Sequence, residues 1–89
     1  MRTLSFGEYI TELRIAKGFS SQRKLALVSG ISNGTIARIE AGTQKPQHDV
    51  LRSLSETLGV SYVGLLIKAG YLTEDEIIEE RKHRGITRH

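Results

Sequence analysis

The sequence predicts an all-α fold, a compact bundle of five short helices with an additional helix at the C-terminal end. Two patterns and a size argument lead there. Apolar residues recur at three- and four-residue intervals in short runs that each stop at a glycine, and no stretch longer than a few residues alternates as a half-buried strand would. The chain has 89 residues, no cysteine and a single proline. A chain of this length buries only about 60% of the surface it exposes when unfolded, so without disulfides its stability must come from dense aliphatic packing.

The first helix is placed over residues 6–17. Ser5 and Glu8 can close a capping box, Phe6, Tyr9, Ile10, Leu13 and Ala16 share a face, and Gly18 follows as terminator. Ser20 or Ser21 caps a short second helix carrying Leu25, Ala26 and Val28 and stopping at Gly30. Ser32 caps the third, with Ile36 and Ile39 inward and Gly42 at its end. The linker over residues 42–47 contains Pro46 and leads to a fourth helix marked by Val50, Leu51, Leu54 and Leu58, which Gly59 ends. Ser61 caps a fifth with Tyr62, Val63, Leu65, Leu66 and Ala69, closed by Gly70. Thr73 with Glu76 makes a second capping box and starts a sixth, acid-rich helix reaching about residue 83.

Charge is distributed unevenly. The chain carries a formal +3, with a sequence pI near 9.5. Residues 14–52 hold seven bases (Arg14, Lys17, Arg23, Lys24, Arg38, Lys45, Arg52) against two acids (Glu40, Asp49), so this segment is +5 and the remainder −2. An anionic partner is therefore expected at the middle of the chain. The end of the chain is locally bipolar, with five acids between Glu74 and Glu80 followed by Arg81, Lys82, Arg84 and Arg88.

Several function classes lack their residues. Zero cysteines remove thiolate metal sites and cysteine nucleophiles, and His48, His83 and His89 have no ligand spacing, so no metal or cofactor is expected. The acids at 74–80 read as a solvated helix face. There is no phosphate-binding Gly-rich loop and no spacing for a Ser/His/Asp set, so no enzyme is expected. The longest apolar stretch, near Val63 to Ile67, falls far short of the roughly 20 residues a membrane span needs. The opening residues lack a signal peptide's pattern, and the expected location is the cytoplasm.

Two helices of seven to nine residues joined by a short turn at Gly30 make a helix-turn-helix candidate. Such helices cross closely near the turn, which calls for a small residue at Ala26 and for glycine at Gly30, where a positive φ is required. Ile36 and Ile39 hold the second helix of the pair inward, leaving Asn33, Gly34, Ala37 and Arg38 on the outer face. Asn33-Gly34 alone would suggest a hairpin turn, but the Ser32 cap and the isoleucine spacing favour a helix start.

The runs RIAKGF at 14–19, SQRKLA at 21–26 and GISNGTIARIEAG at 30–42, continued by Lys45-Pro46, Leu51, LGVS at 58–61 and Leu65-Leu66, resemble the lambda-repressor-like, XRE/Cro type of DNA-binding domain. The resemblance covers residues 6–69. It departs at Ser20-Ser21, where one extra residue lengthens the loop before the second helix, and after Gly70, where the family pattern has no counterpart.

The resemblance implies roles residue by residue. Asn33, Gly34, Ala37 and Arg38 are the base-reading positions, Asn suited to adenine N6 and N7, Arg to guanine O6 and N7. Gln22, Arg23, Thr35, Thr43, Gln44 and Lys45 are the phosphate-contacting positions. Thr35 can equally touch a thymine methyl or close its own helix cap. Arg14 and Glu40 match a structural pair bridging the first and third helices.

The expected function is that of a sequence-specific, double-stranded-DNA-binding transcriptional regulator, a repressor, acting as a homodimer on an inverted repeat. Residues 1–70 are expected to form the helix-turn-helix domain and 71–89 a helical tail for dimerisation or a protein partner. The dimer contacts are placed at Tyr62, Val63 and Leu66 and at Leu72, Ile77 and Ile78. The alternative is a protein-interaction module of the same fold, an antitoxin or a regulator held by an antirepressor, suggested by the Ile77-Ile78 pair.

Overall fold

The computed structural model describes residues 3–73, and within them the chain forms five helices and no strand: α1 (Phe6–Ala16), α2 (Gln22–Ser29), α3 (Asn33–Ala41), α4 (His48–Leu58) and α5 (Tyr62–Lys68). The expected sixth helix, with Ile77 and Ile78, lies outside the described residues. Among those described, no helix is long and apolar enough to cross a membrane.

Local chemistry sets the helix boundaries. Ser5 Oγ accepts from Glu8 N at 3.1 Å while Glu8 Oε1 accepts from Ser5 N at 3.0 Å, so the capping box of α1 is complete. Ser21, rather than Ser20, caps α2, and Ser32 and Ser61 cap α3 and α5, each hydroxyl accepting the backbone N–H three residues on. Gly30 ends α2 at φ +78°, a conformation that costs other residues steric strain, and its N–H bonds Ala26 O at 3.0 Å. The tight connection between α2 and α3 follows from that turn.

Ile10 of α1, Leu25 of α2, Ile31 of the turn, Ile36 of α3, Leu51, Leu54 and Leu58 of α4, and Leu65 and Leu66 of α5 form one apolar core. α3 packs against both α1 and α2, and α4 against α2 and α5. Each buried leucine or isoleucine contributes roughly 1.5–3 kcal/mol from water exclusion. Ala26 is half-buried against the core, as a close α2–α3 crossing demands, whereas Val28 lies outward and is 65% exposed. The helix is too short and too near its end at Val28 to bury a second face.

Leu66, expected at a dimer contact, is instead buried in the core, and Tyr62 is half-buried against it; only Val63 of that trio is exposed. Leu66 follows the fully buried Leu65 on a seven-residue helix whose inner face needs both. Tyr71 and Leu72, assigned to the tail from sequence, also pack on the bundle.

Candidate nucleic-acid interface

α3 presents two faces of opposite character. Ile36 and Ile39 are 1% and 2% exposed, which fixes the helix rotation and leaves Asn33, Gly34, Ala37 and Arg38 on the solvent side. Asn33 and Gly34 are exposed in the first turn, Ala37 is half-buried and Arg38 is exposed in the last turn. A helical side chain leans toward the helix N-terminus, so Arg38 reaches back over Gly34. A Cβ at Gly34 would stand 3.2 Å from Arg38 Nη1. The glycine thus leaves room for the guanidinium to lie along the helix surface.

Two side chains hold that guanidinium. Its Nε donates to Gln44 Oε1 at 2.6 Å, its Nη2 lies 3.4 Å from Thr35 Oγ1, and Nη1 sits above Gly34 with no hydrogen bond among the described residues. Gln44 reaches Arg38 because Gly42, at φ +80°, turns the chain back along α3, and Thr43 N and Oγ1 both donate to Arg38 O, at 2.9 and 3.3 Å. Thr35 accepts from Ser32 Oγ at 2.8 Å, so its oxygen belongs to the helix cap as well as to Arg38. Thr35 therefore takes part in the cap of its own helix.

The other predicted phosphate contacts surround this face. Arg23 is exposed on the first turn of α2. Gln22 is half-buried, and its Nε2 donates to Glu40 Oε1 at 3.0 Å, leaving one amide N–H uncommitted. Lys45 is exposed and its Nζ lies 4.3 Å from the centre of the Tyr71 ring. Tyr71 also donates its hydroxyl to Pro46 O at 2.6 Å and packs its ring 4.5 Å from His48. Tyr71, beyond the end of α5, therefore clamps the loop between α3 and α4, a role hidden in a sequence that shows only an aromatic after Gly70.

Elsewhere on α3 lies the ion pair that the resemblance implies. Arg14 Nε is 2.8 Å from Glu40 Oε2 and Nη2 is 3.4 Å from Oε1, while Nη1 donates to Phe19 O at 2.8 Å. Burial on its own would raise the Glu40 carboxyl; the hydrogen bonds from Arg14, Gln22 and Thr11 together with the Arg14 charge outweigh it and hold the group below its ordinary value. This network joins α1, the following loop, α2 and α3 at one point.

Gly7 was not singled out by the sequence pattern, yet it is buried in the first turn of α1 against the backbone of α3. A Cβ there would lie 2.6 Å from Ile39 O and would overlap Glu40 O. The available signal was a glycine inside an otherwise regular helical pattern, which often marks a close backbone approach.

Comparison with known proteins gives a consistent family. A family model described as helix-turn-helix matches residues 10–65. The chain is 39% identical over 71 residues, 79% of its own length and 52% of the relative's, to the HTH-type transcriptional repressor RghR of Bacillus subtilis. It is 39% identical over 61 residues, 68% of its length and 44% of the relative's, to an uncharacterized HTH-type transcriptional regulator of Mycobacterium tuberculosis. It is 35% identical over 63 residues, 71% of its length and 78% of the relative's, to the control protein C.BamHI of Bacillus amyloliquefaciens. The chain thus spans about half the length of the first two relatives. No solved structure matches.

Proposed function

The chain belongs to the helix-turn-helix family, and from that premise we propose that it is a sequence-specific regulator of transcription that binds double-stranded DNA with α3 in the major groove. The observation that carries this reading is the exposed Arg38 guanidinium, held over Gly34 on the outer face of α3 by Gln44 and Thr35. A planar fork of N–H donors in that position matches O6 and N7 of guanine. Asn33, at the first position of the same face, offers an amide suited to adenine.

Around this reading face, Arg23, Gln22, Thr43 and Lys45 meet the sugar-phosphate backbone, fixing orientation without reading sequence. The action is binding without catalysis, and repression is favoured by the relative that carries that word in its name. One short helix reads few base pairs, so the working unit is a homodimer on an inverted repeat, with half-sites about 34–36 Å apart or a multiple of that. Its place of action is the cytoplasm, where bacteria such as those that carry the relatives keep their DNA.

Selection of duplexes from a random library with the purified protein tests the proposal. Enrichment of an inverted repeat, with affinity that falls steeply as salt rises, is the expected result. Recovery of unrelated sequences, bound only weakly and without preference, would overturn it.

A further inference from the structure

We infer that Gln44 is a specificity-determining residue, one that acts by positioning Arg38 rather than by touching the DNA backbone. The inference rests on the proposed reading in which Arg38 faces a base. An arginine can approach guanine with either of two donor pairs, the side-on pair that uses Nε or the end-on pair formed by the two terminal nitrogens. Gln44 Oε1 accepts from Nε at 2.6 Å and so closes the side-on approach. Arginine has no acceptor, so the amide oxygen of Gln44 must be the atom that faces it, and the bond has a charged donor, which makes it stronger than a neutral one.

The end-on pair remains as the reading edge, because each terminal nitrogen carries two N–H groups and only one of the four, on Nη2, is engaged. Nη1 lies over Gly34, where a Cβ would be 3.2 Å away, and Nη2 is 3.4 Å from the Thr35 hydroxyl, which is itself fixed by Ser32. Gln44 is half-buried and held in place by the chain reversal at Gly42 and the two bonds from Thr43 to Arg38 O. The guanidinium is thereby oriented before DNA arrives, so less side-chain freedom is lost on binding. Guanine presents O6 and N7 side by side, and a fork already turned end-on meets them without rearrangement.

The test uses the full chain, the best-enriched duplex from the random-library selection and the set of its single-base-pair variants. Arg38→Ala identifies the base pair that Arg38 reads, where discrimination should fall from roughly tenfold or more to near none. Gln44→Met, which keeps the size and removes the acceptor, should reduce discrimination at that same base pair to a few-fold and leave the others unchanged. Gln44→Glu, which keeps an acceptor for Nε, should retain it, even though its charge weakens binding to every duplex. Full discrimination in Gln44→Met, with affinity lowered evenly or not at all, would overturn the positioning role while leaving the Arg38 reading intact; loss in both Gln44 variants would overturn the acceptor role. Failure of Arg38→Ala to relax any base pair, or failure to enrich a duplex, would overturn both readings together.

Discussion

Arg14 and Glu40 form an ion pair in the interior of the bundle, Nε to Oε2 at 2.8 Å, with side chains 8% and 5% exposed. It joins the last turn of α1 to the C-terminal half of α3, and Gln22 of α2 adds a third strut at 3.0 Å. A buried pair contributes little net stability over an apolar replacement, but loss of one partner strands the other charge away from water. Arg14→Met should therefore lower the unfolding free energy by about 3–5 kcal/mol, measured by urea denaturation. The double variant Arg14→Met/Glu40→Leu should recover most of that loss; a double variant as unstable as the single one would show that packing of the arginine stem, rather than the pair, is what matters.

Acid should act on the same carboxylate. The folded state holds Glu40 below its ordinary 4.5, against the opposing effect of burial, so folding favours the ionised form. Its stabilisation is complete above the unfolded value and is lost as pH falls through the folded one. Stability should be flat near neutrality and decline below about pH 4.5, and Glu40→Gln should show a shallower decline from a lower starting point. A decline of equal steepness in Glu40→Gln would assign acid sensitivity to other carboxylates.

Gly7 sets how closely α1 approaches α3. Alanine at this position would gain about 1 kcal/mol in helix propensity, but its Cβ would meet Ile39 O at 2.6 Å and overlap Glu40 O, both backbone atoms that cannot move alone. Overpacking of this kind typically costs 1–3 kcal/mol. Gly7→Ala should lower the thermal midpoint and, by shifting the end of α3, weaken DNA binding more than its stability loss explains. A raised midpoint would show that α3 moves away freely.

The helices were legible in the sequence because most of their ends are set by local chemistry, the uncapped start of α4 at Gln47 being an exception. Serines that bond the N–H three residues ahead and glycines that take positive φ act within one turn, and the isoleucine spacing fixed which face of α3 is buried. The Arg14–Glu40 pair came from the family resemblance, since nothing local connects residues 26 apart. What was not legible depends on distant elements meeting. Gly7 matters only because α3 lies over it, and the burial of Leu66 depends on neighbours on other helices that spacing does not show. The resemblance places Gln44 at a phosphate-contacting position, and its bond to Arg38 depends on the turn at Gly42, which spacing does not show.

Tyr71 closes the loop that carries Lys45. Tyr71→Phe removes the hydroxyl bonded to Pro46 O at 2.6 Å but keeps the ring beneath the Lys45 ammonium, so it should cost about 1 kcal/mol of stability and little DNA affinity. Tyr71→Ala also removes the ring, worth a further 0.5–1 kcal/mol as a cation–π contact at an exposed site. With Lys45 released, affinity should drop a few-fold on all duplexes while base preference stays the same. A changed preference would mean that the loop positions Arg38 more than Lys45.

Removal of a single acceptor atom from the DNA tests the reading of the groove most directly. On the selected duplex, guanine at the Arg38-dependent base pair is replaced by 7-deazaguanine, which lacks the N7 acceptor and keeps base pairing. Wild-type affinity should fall by roughly tenfold, while Arg38→Ala, already weakened, should bind both duplexes equally. Equal wild-type affinity for the two duplexes at every guanine of the half-site would contradict readout of guanine by α3 in the major groove.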